Sequence, residues 1–219
     1  MFAKLSRKSC ICTPVIYYSY ISYIMFHVVR EFEREISDFF GSPYAIATDS
    51  CTHALELCLR YEGYTKITIP TRTYISVPFT AMKLGLEWEW RDEDWKDYYY
   101  IGNTNIIDAA VLWENNSYIP GTYMCVSFQF KKHLNLGRGG IILLDNKRAY
   151  DTLSKMVYDG RSDDAPWATQ DISTIGYHYY MTPETAQLGL NKLKQCKDTI
   201  PERWDQSNYP YLPSMSVFK

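Results

Sequence analysis

The sequence predicts an α/β fold around a mixed, mostly parallel sheet. Three observations carry the prediction. From residue 44 onward, short apolar runs with strand character alternate with helical segments, the pattern of stacked sheet and helix layers. A β-branched and aromatic run over 123–130 enters a glycine-rich turn, Gly137-Arg138-Gly139-Gly140, and a second apolar run, Ile141-Ile142-Leu143-Leu144, leaves it. A third run ends in a single aspartate, Asp108, followed by the small residues Ala109 and Ala110.

In chain order, residues 1–14 are basic and carry no structure signal. The stretch 15–28 is apolar but rich in Tyr and Ser, and too short to span a membrane. No small-residue cleavage site follows it, and it runs straight into the charged 30–38, so it is not read as a signal peptide. A helix over about 15–40, stopped by Gly41, fits better. Residues 44–48 read as a strand and 52–61 as a helix with Leu55, Leu57, Cys58 and Leu59 for the core. Residues 66–70 form the next strand and 76–84 the next helix. In 87–91 the alternation puts Trp88 and Trp90 on one face of a strand. A short acidic and aromatic stretch, 92–100, precedes the strand 103–107 that leads to Asp108. Helices are expected over 146–157 and 182–197, the latter with Pro183 in its first turn, a favoured place. Between them, 159–171 is a polar loop. The last residues, 198–219, hold Pro201, Pro210 and Pro213 and read as extended or loosely docked. The expected organisation is an N-terminal extension (1–14), one main domain (15–197) and a tail (198–219).

A chain of 219 residues builds one sizeable core. A formal charge of −2 gives no electrostatic case for nucleic acid or an acidic membrane. Of six cysteines only Cys10 and Cys12 are close-set, and no second pair or histidine cluster completes a metal site. Reduced thiols in a cytoplasmic protein are the plain expectation.

Lys131 and Lys132 stand just before the glycine-rich turn. A lysine held beside a packed sheet is partly desolvated, which lowers its pKa and frees the amine to attack a carbonyl. That is the requirement for a Schiff-base lysine. A bare Lys-Lys pair is more often two solvated side chains. Asp108 shifts the balance. Ligands of a parallel sheet bind beyond the carboxyl ends of its strands, and Asp108 and Lys132 both fall at such ends. A carboxylate facing a pyridinium nitrogen, with a lysine on the aldehyde, is how a protein holds pyridoxal phosphate. The plain alternative for Asp108 is a strand-end turn residue. The turn 49–52 opens a helix, whose N–H groups and positive dipole end suit a phosphate.

At this point the sequence resembles a known family, the DegT/DnrJ/EryC1/StrS sugar aminotransferases. These are pyridoxal phosphate (PLP) enzymes of the aspartate-aminotransferase fold type. The resemblance covers about residues 32–196. Residues 32–41 look like the family's FExEFAxYxG, 45–55 like AVAVSSGTAAL, and 70–77 like PSFTFVAT. Asp108-Ala109-Ala110 matches EDAA, 127–132 matches SFxxxK, and 137–140 matches GEGG. Residues 176–182 look like GYNYRMS, and 186–190 match AALGL. The order of the blocks makes the whole specific.

The resemblance implies a three-layer sandwich, the large domain of a PLP-dependent transferase. It implies about six strands where the family has seven, because 92–100 is shorter than the family's strand–helix–strand stretch. The family's smaller C-terminal domain is expected to be absent. Five residues before Gly137, Lys132 takes the register of the cofactor lysine, and Lys131 is a neighbour that helps lower its pKa. Relatives that are dehydratases carry His in place of this lysine; His133 is adjacent but out of register. The resemblance further places Asp108 on the pyridine nitrogen, Tyr74 on the ring face, and Cys51, Thr52 and Ser127 at the phosphate. His178 lies on a loop that reaches a partner subunit's cofactor phosphate, so a homodimer is implied, with the helix over 15–40 packed on the partner. Three residues depart from the family: Cys51 for Gly, Val111 for His or Gln, and Tyr180 for Arg. The function implied is transamination of a keto sugar nucleotide with glutamate as donor. The alternative is a degenerate PLP-binding or non-catalytic scaffold of the same fold.

Overall fold

A computed structural model describes residues 14–163 and 165–219, with side chains from Phe26 onward. The expected extension 1–14 (all but its last residue), the Cys10 and Cys12 pair and the side chains of 15–25 lie outside the described residues. Helix α1 (Pro14–Phe40) ends as expected at Gly41, whose φ of +78° suits glycine and whose N–H closes on the Ser37 carbonyl at 2.8 Å. Next come β1 (Tyr44–Thr48), α2 (Cys51–Glu62), β2 (Lys66–Pro70), α3 (Ser76–Leu84) and β3 (Glu87–Arg91). The chain continues with β4 (Tyr99–Tyr100), β5 (Ile106–Asp108), β6 (Tyr123–Ser127), β7 (Gly140–Leu144), α4 (Lys147–Val157) and α5 (Pro183–Lys197). Asn146 and Thr182 cap α4 and α5 by accepting from the N–H groups of Ala149 and Thr185.

Two expectations about the sheet are corrected. The sheet expected to hold about six strands holds five among the described residues, with β2 and β3 paired apart from it, seven strands in all. They divide into a five-stranded sheet, ordered β1-β7-β6-β5-β4, and a β2–β3 pair. The sheet is mixed, not mostly parallel. Only β5–β6 and β2–β3 run parallel, and the other three pairings are antiparallel. Topology gives the reason. The links from β4 to β5 and from β6 to β7 contain no helix, and a direct return makes antiparallel neighbours. β1, β5 and β6 still point the same way. Thr48, Asp108 and Ser127 therefore end at one edge of the sheet, where β7 begins at Gly140.

Successive residues of the central strands face opposite layers. Ala45, Ala47, Met124, Val126, Ile141 and Leu143 pack with Phe32, Ile36 and Phe40 of α1 and Ala186 and Leu193 of α5. Ile46, Cys125, Ile142 and Leu144 pack with Leu55, Leu57 and Cys58 of α2 and Leu153 of α4. Helices thus cover both faces in three layers, and strands buried on both sides read as continuous apolar runs.

The tail is not loosely docked. Leu212 is fully buried, and its N–H donates to the Thr71 carbonyl at 2.9 Å. Arg72 Nη1 donates to the Tyr209 carbonyl at 2.9 Å, and the Asp97 N–H donates to the Trp204 carbonyl at 2.8 Å. Phe218 packs on Trp88, Trp90 and Phe79. These bonds come from partners far away in sequence, so no local pattern in 198–219 announces them.

Candidate active site

A cleft opens at the shared strand edge, with about 760 Å³ of free space including its mouth. Its floor is Asp108, the last residue of β5, only 6% exposed. Asp108 Oδ2 accepts from the Tyr99 hydroxyl at 2.5 Å, and Oδ1 accepts from the Ala110 N–H at 3.0 Å. Burial raises this carboxyl's pKa above the ordinary value, against the pull of those two donors and of Lys132.

Lys132 lines the same cleft, on the turn after β6. Its N–H closes that turn on the Gln129 carbonyl at 2.8 Å. Burial lowers the pKa of its amine, opposed by Asp108 and Cys51; Lys131 adds a small push in the same direction as burial. Lys131 itself is exposed and outside the cleft. His133 also points elsewhere, its Nε2 bonded to the Cys196 carbonyl and the Thr199 hydroxyl.

The N-terminus of α2 forms a third wall. Ser50, not Thr52, is its cap, accepting from the His53 N–H at 3.3 Å. The N–H groups of Cys51 and Thr52 find no acceptor among the described residues, as expected for a first helical turn. Cys51, where the resemblance expects a glycine, lines the cleft. Its Sγ turns into the core and donates to the Cys125 carbonyl at 3.4 Å, and burial holds the thiol well above its usual pKa. Gly140 packs directly against the start of α2, where any Cβ would strike the Ser50–Cys51 backbone. Thr52 Oγ1 lies 2.7 Å from Ser76 Oγ, and Ser127 sits beside them. These hydroxyls and free N–H groups fit a phosphate, and the Lys132–Asp108 pair fits the rest of a pyridoxal phosphate.

Tyr74 stands at the mouth, half exposed, and Val111 contributes an apolar patch with no hydrogen-bonding atom. His178 is not brought to the cleft. It lies exposed on the far loop, its Nδ1 3.1 Å from Asp159 Oδ2. Tyr180 packs on Phe26 and Tyr158, also outside it. Several residues that the sequence did not single out do line the cleft: Trp95 and Tyr99 from 92–100, Tyr209 from the tail, and Gln129 and Arg138 beside Lys132. Trp204 extends this aromatic wall, 6.0 Å from Tyr209. For Gln129 and Arg138 a signal existed, since both fall inside the matched blocks.

Layered architecture and cleft together make the chain a three-layer α/β protein with a cleft at its strand ends. A family model described as "DegT/DnrJ/EryC1/StrS aminotransferase family" matches residues 21–108 and 120–210, and the chain belongs to that family, whose cofactor is PLP. Among curated proteins it is 25% identical to the spore coat polysaccharide biosynthesis protein SpsC of Bacillus subtilis, over 80% of this chain and 58% of SpsC. Among solved structures, AtS13 from Actinomadura melliaura superposes with a TM-score of 0.67 at 19% identity, covering 78% of this chain and 60% of AtS13. The PMP form of the putative sugar aminotransferase Spr1654 from Streptococcus pneumoniae gives 0.64 at 17% identity, covering 84% of this chain and 64% of that one. The chain thus spans about three fifths of the length of the relatives it matches. No helix among the described residues is long and apolar enough to cross a membrane.

Proposed function

We propose that the chain carries the cofactor site of a PLP-dependent aminotransferase that acts on a keto sugar nucleotide, with glutamate as amino donor. One observation carries the reading: partly buried Lys132 and buried Asp108 share a cleft with the open N-terminus of α2. The sugar part is supported by the names of the relatives, a polysaccharide biosynthesis protein and a putative sugar aminotransferase.

When bound, PLP supplies an aldehyde that an amine can capture and a ring that draws off electrons. Lys132 is the amine, and its depressed pKa keeps more of it unprotonated near neutrality. Displaced from the aldehyde by the substrate's own amine, its Nζ would take a proton from the substrate and return it, as base and acid in turn. Asp108 would face the ring nitrogen and keep its proton in place. The N–H groups of Cys51 and Thr52, with the hydroxyls of Thr52 and Ser127, bind the phosphate. Tyr74 would cover the ring from the mouth, while Trp204, its ring centre 4.8 Å from Nζ, helps keep water from it. The reading also takes the protein to be a cytoplasmic homodimer, in which exposed His178 reaches the partner's phosphate. Sedimentation at roughly twice the chain mass tests that part.

A second reading, a scaffold that binds PLP without turnover, is favoured by Val111, which puts an apolar side chain where the family has a hydrogen-bonding one. One experiment separates the readings. The protein is loaded with PLP, reduced with borohydride and mapped by peptide mass. A pyridoxyl mass on Lys132 is expected, and label on Lys131 or on neither lysine overturns the aminotransferase reading. Glutamate added before reduction should discharge the cofactor's aldehyde absorbance; an unchanged spectrum leaves only the scaffold.

A further inference from the structure

We infer that Tyr99 is a positioning residue for the proposed reaction, fixing the Asp108 carboxylate in the cleft through a hydrogen-bond chain that begins at Thr73. The inference rests on the reading of Asp108 as the partner of the ring nitrogen.

Strand register makes the first argument. β4 and β5 run antiparallel with Tyr99 directly opposite Asp108, so the two side chains emerge on the same face. Their hydroxyl and carboxylate oxygens then lie 2.5 Å apart. Thr73 Oγ1 lies 2.5 Å from the Tyr99 oxygen on the other side. Proton counting sets the direction. A phenol has one proton, and an ionised carboxylate only accepts. Tyr99 therefore donates to Asp108, and Thr73 donates to Tyr99. Each bond in such a chain polarises the next, here toward a charged Asp108.

Burial makes the second argument. Thr73, Tyr99 and Asp108 are 2%, 5% and 6% exposed, so water does not substitute for any of them. With Tyr99 on Oδ2 and Ala110 on Oδ1, each oxygen has one fixed donor and the carboxylate plane is set. A β4 of only two residues adds little to the sheet; its register delivers this one hydroxyl.

The test is a double-mutant cycle on PLP binding by the full chain. Dissociation constants come from quenching of tryptophan fluorescence, and the visible circular dichroism of bound PLP reports its orientation. Tyr99→Phe should weaken PLP binding by about tenfold, the range of a hydrogen bond to a charged group, and should change the dichroic band. In the Asp108→Asn background the same substitution should change affinity by less than about twofold, because Tyr99 acts through Asp108. Equal losses in both backgrounds, or no change in affinity and band, overturn the inference. Parent-like affinity in Asp108→Asn alone overturns the reading of Asp108 beneath it. Thr73→Val, crossed with Asp108→Asn, gives the same decision should Tyr99→Phe fail to fold.

Discussion

The Nζ of Lys132 lies 4.8 Å from the ring centre of Trp204, a residue 72 positions further along the chain. Two opposed effects meet there. The ring face stabilises the charged amine by about 0.5–1 kcal/mol, less than one pKa unit. The same ring helps keep water from Nζ, and burial is the largest influence on this amine, lowering its pKa. Desolvation moves buried groups by up to several units, so it wins. Trp204→Ala should therefore raise the Lys132 pKa and move the pH midpoint for PLP capture upward. Absorbance titration of the reconstituted protein measures it; a midpoint that stays or falls would show that the ring serves the charge rather than the burial.

Asp108 is predicted to cost stability in the apoprotein. Its folded pKa is raised by burial. The folded state therefore holds more protons than the unfolded state between the two pKa values. The group's contribution is complete below the unfolded carboxyl pKa of about 3.9 and is lost as pH rises through the folded value. Asparagine does not titrate and keeps a carbonyl and an amide for Ala110 and Tyr99. Relative to the parent, Asp108→Asn should gain thermal stability between acid and neutral pH. Deprotonation of substrate in the same variant should slow by roughly 100-fold or more. Melting curves across pH check the first part, and a Tm difference independent of pH would contradict it.

Gly189 sits inside α5, where alanine ordinarily stabilises a helix by about 1 kcal/mol. Here a Cβ would run into the ring of Phe32, which is 0% exposed and packed edge-on against Phe128. Overpacking costs about 1–3 kcal/mol, and this ring has nowhere to go. Gly189→Ala should lower the urea midpoint despite the better helix propensity. A raised midpoint would mean that α1 and α5 separate easily.

Most of the frame was legible because it depends on local pattern. Gly41, Asn146 and Thr182 mark helix ends through their own backbone and side-chain chemistry. Asp108 and Lys132 could be placed at one end of the sheet because each comes at the end of an apolar run. Strand direction was not legible, since β1 and β7 are buried on both faces and such runs look alike in either direction. Tyr99 was missed because two residues of strand display no period. Trp204 and Tyr209 were missed because contacts with Asp97 and Arg72, more than 100 residues away, place them. Ser50, one residue before α2, caps it because it holds the extended backbone that a cap requires.

Glu56 offers a test of electrostatics away from the cleft. Its side chain is 1% exposed, between Arg60 at 2.9 Å and Lys83 at 2.8 Å. The Tyr179 hydroxyl also donates to it at 3.3 Å. Burial pushes the Glu56 pKa up, but the bonds from Lys83 and Arg60 outweigh it and hold the carboxyl below the ordinary value. The sign is thus opposite to that of Asp108. Stability from Glu56 is present above the unfolded pKa of about 4.3 and is lost as pH falls through the folded value. Both cations retain access to water and can rehydrate once the carboxylate is gone, so the full penalty of a stranded buried charge does not apply. Glu56→Gln should cost about 2 kcal/mol near neutrality, the size of a charge-assisted hydrogen bond, and much less under acid conditions. Urea unfolding at neutral pH and at about pH 3, below the usual carboxyl range, reads both numbers. A penalty as large in acid as at neutrality would mean that Glu56 stabilises α2 by packing rather than by charge.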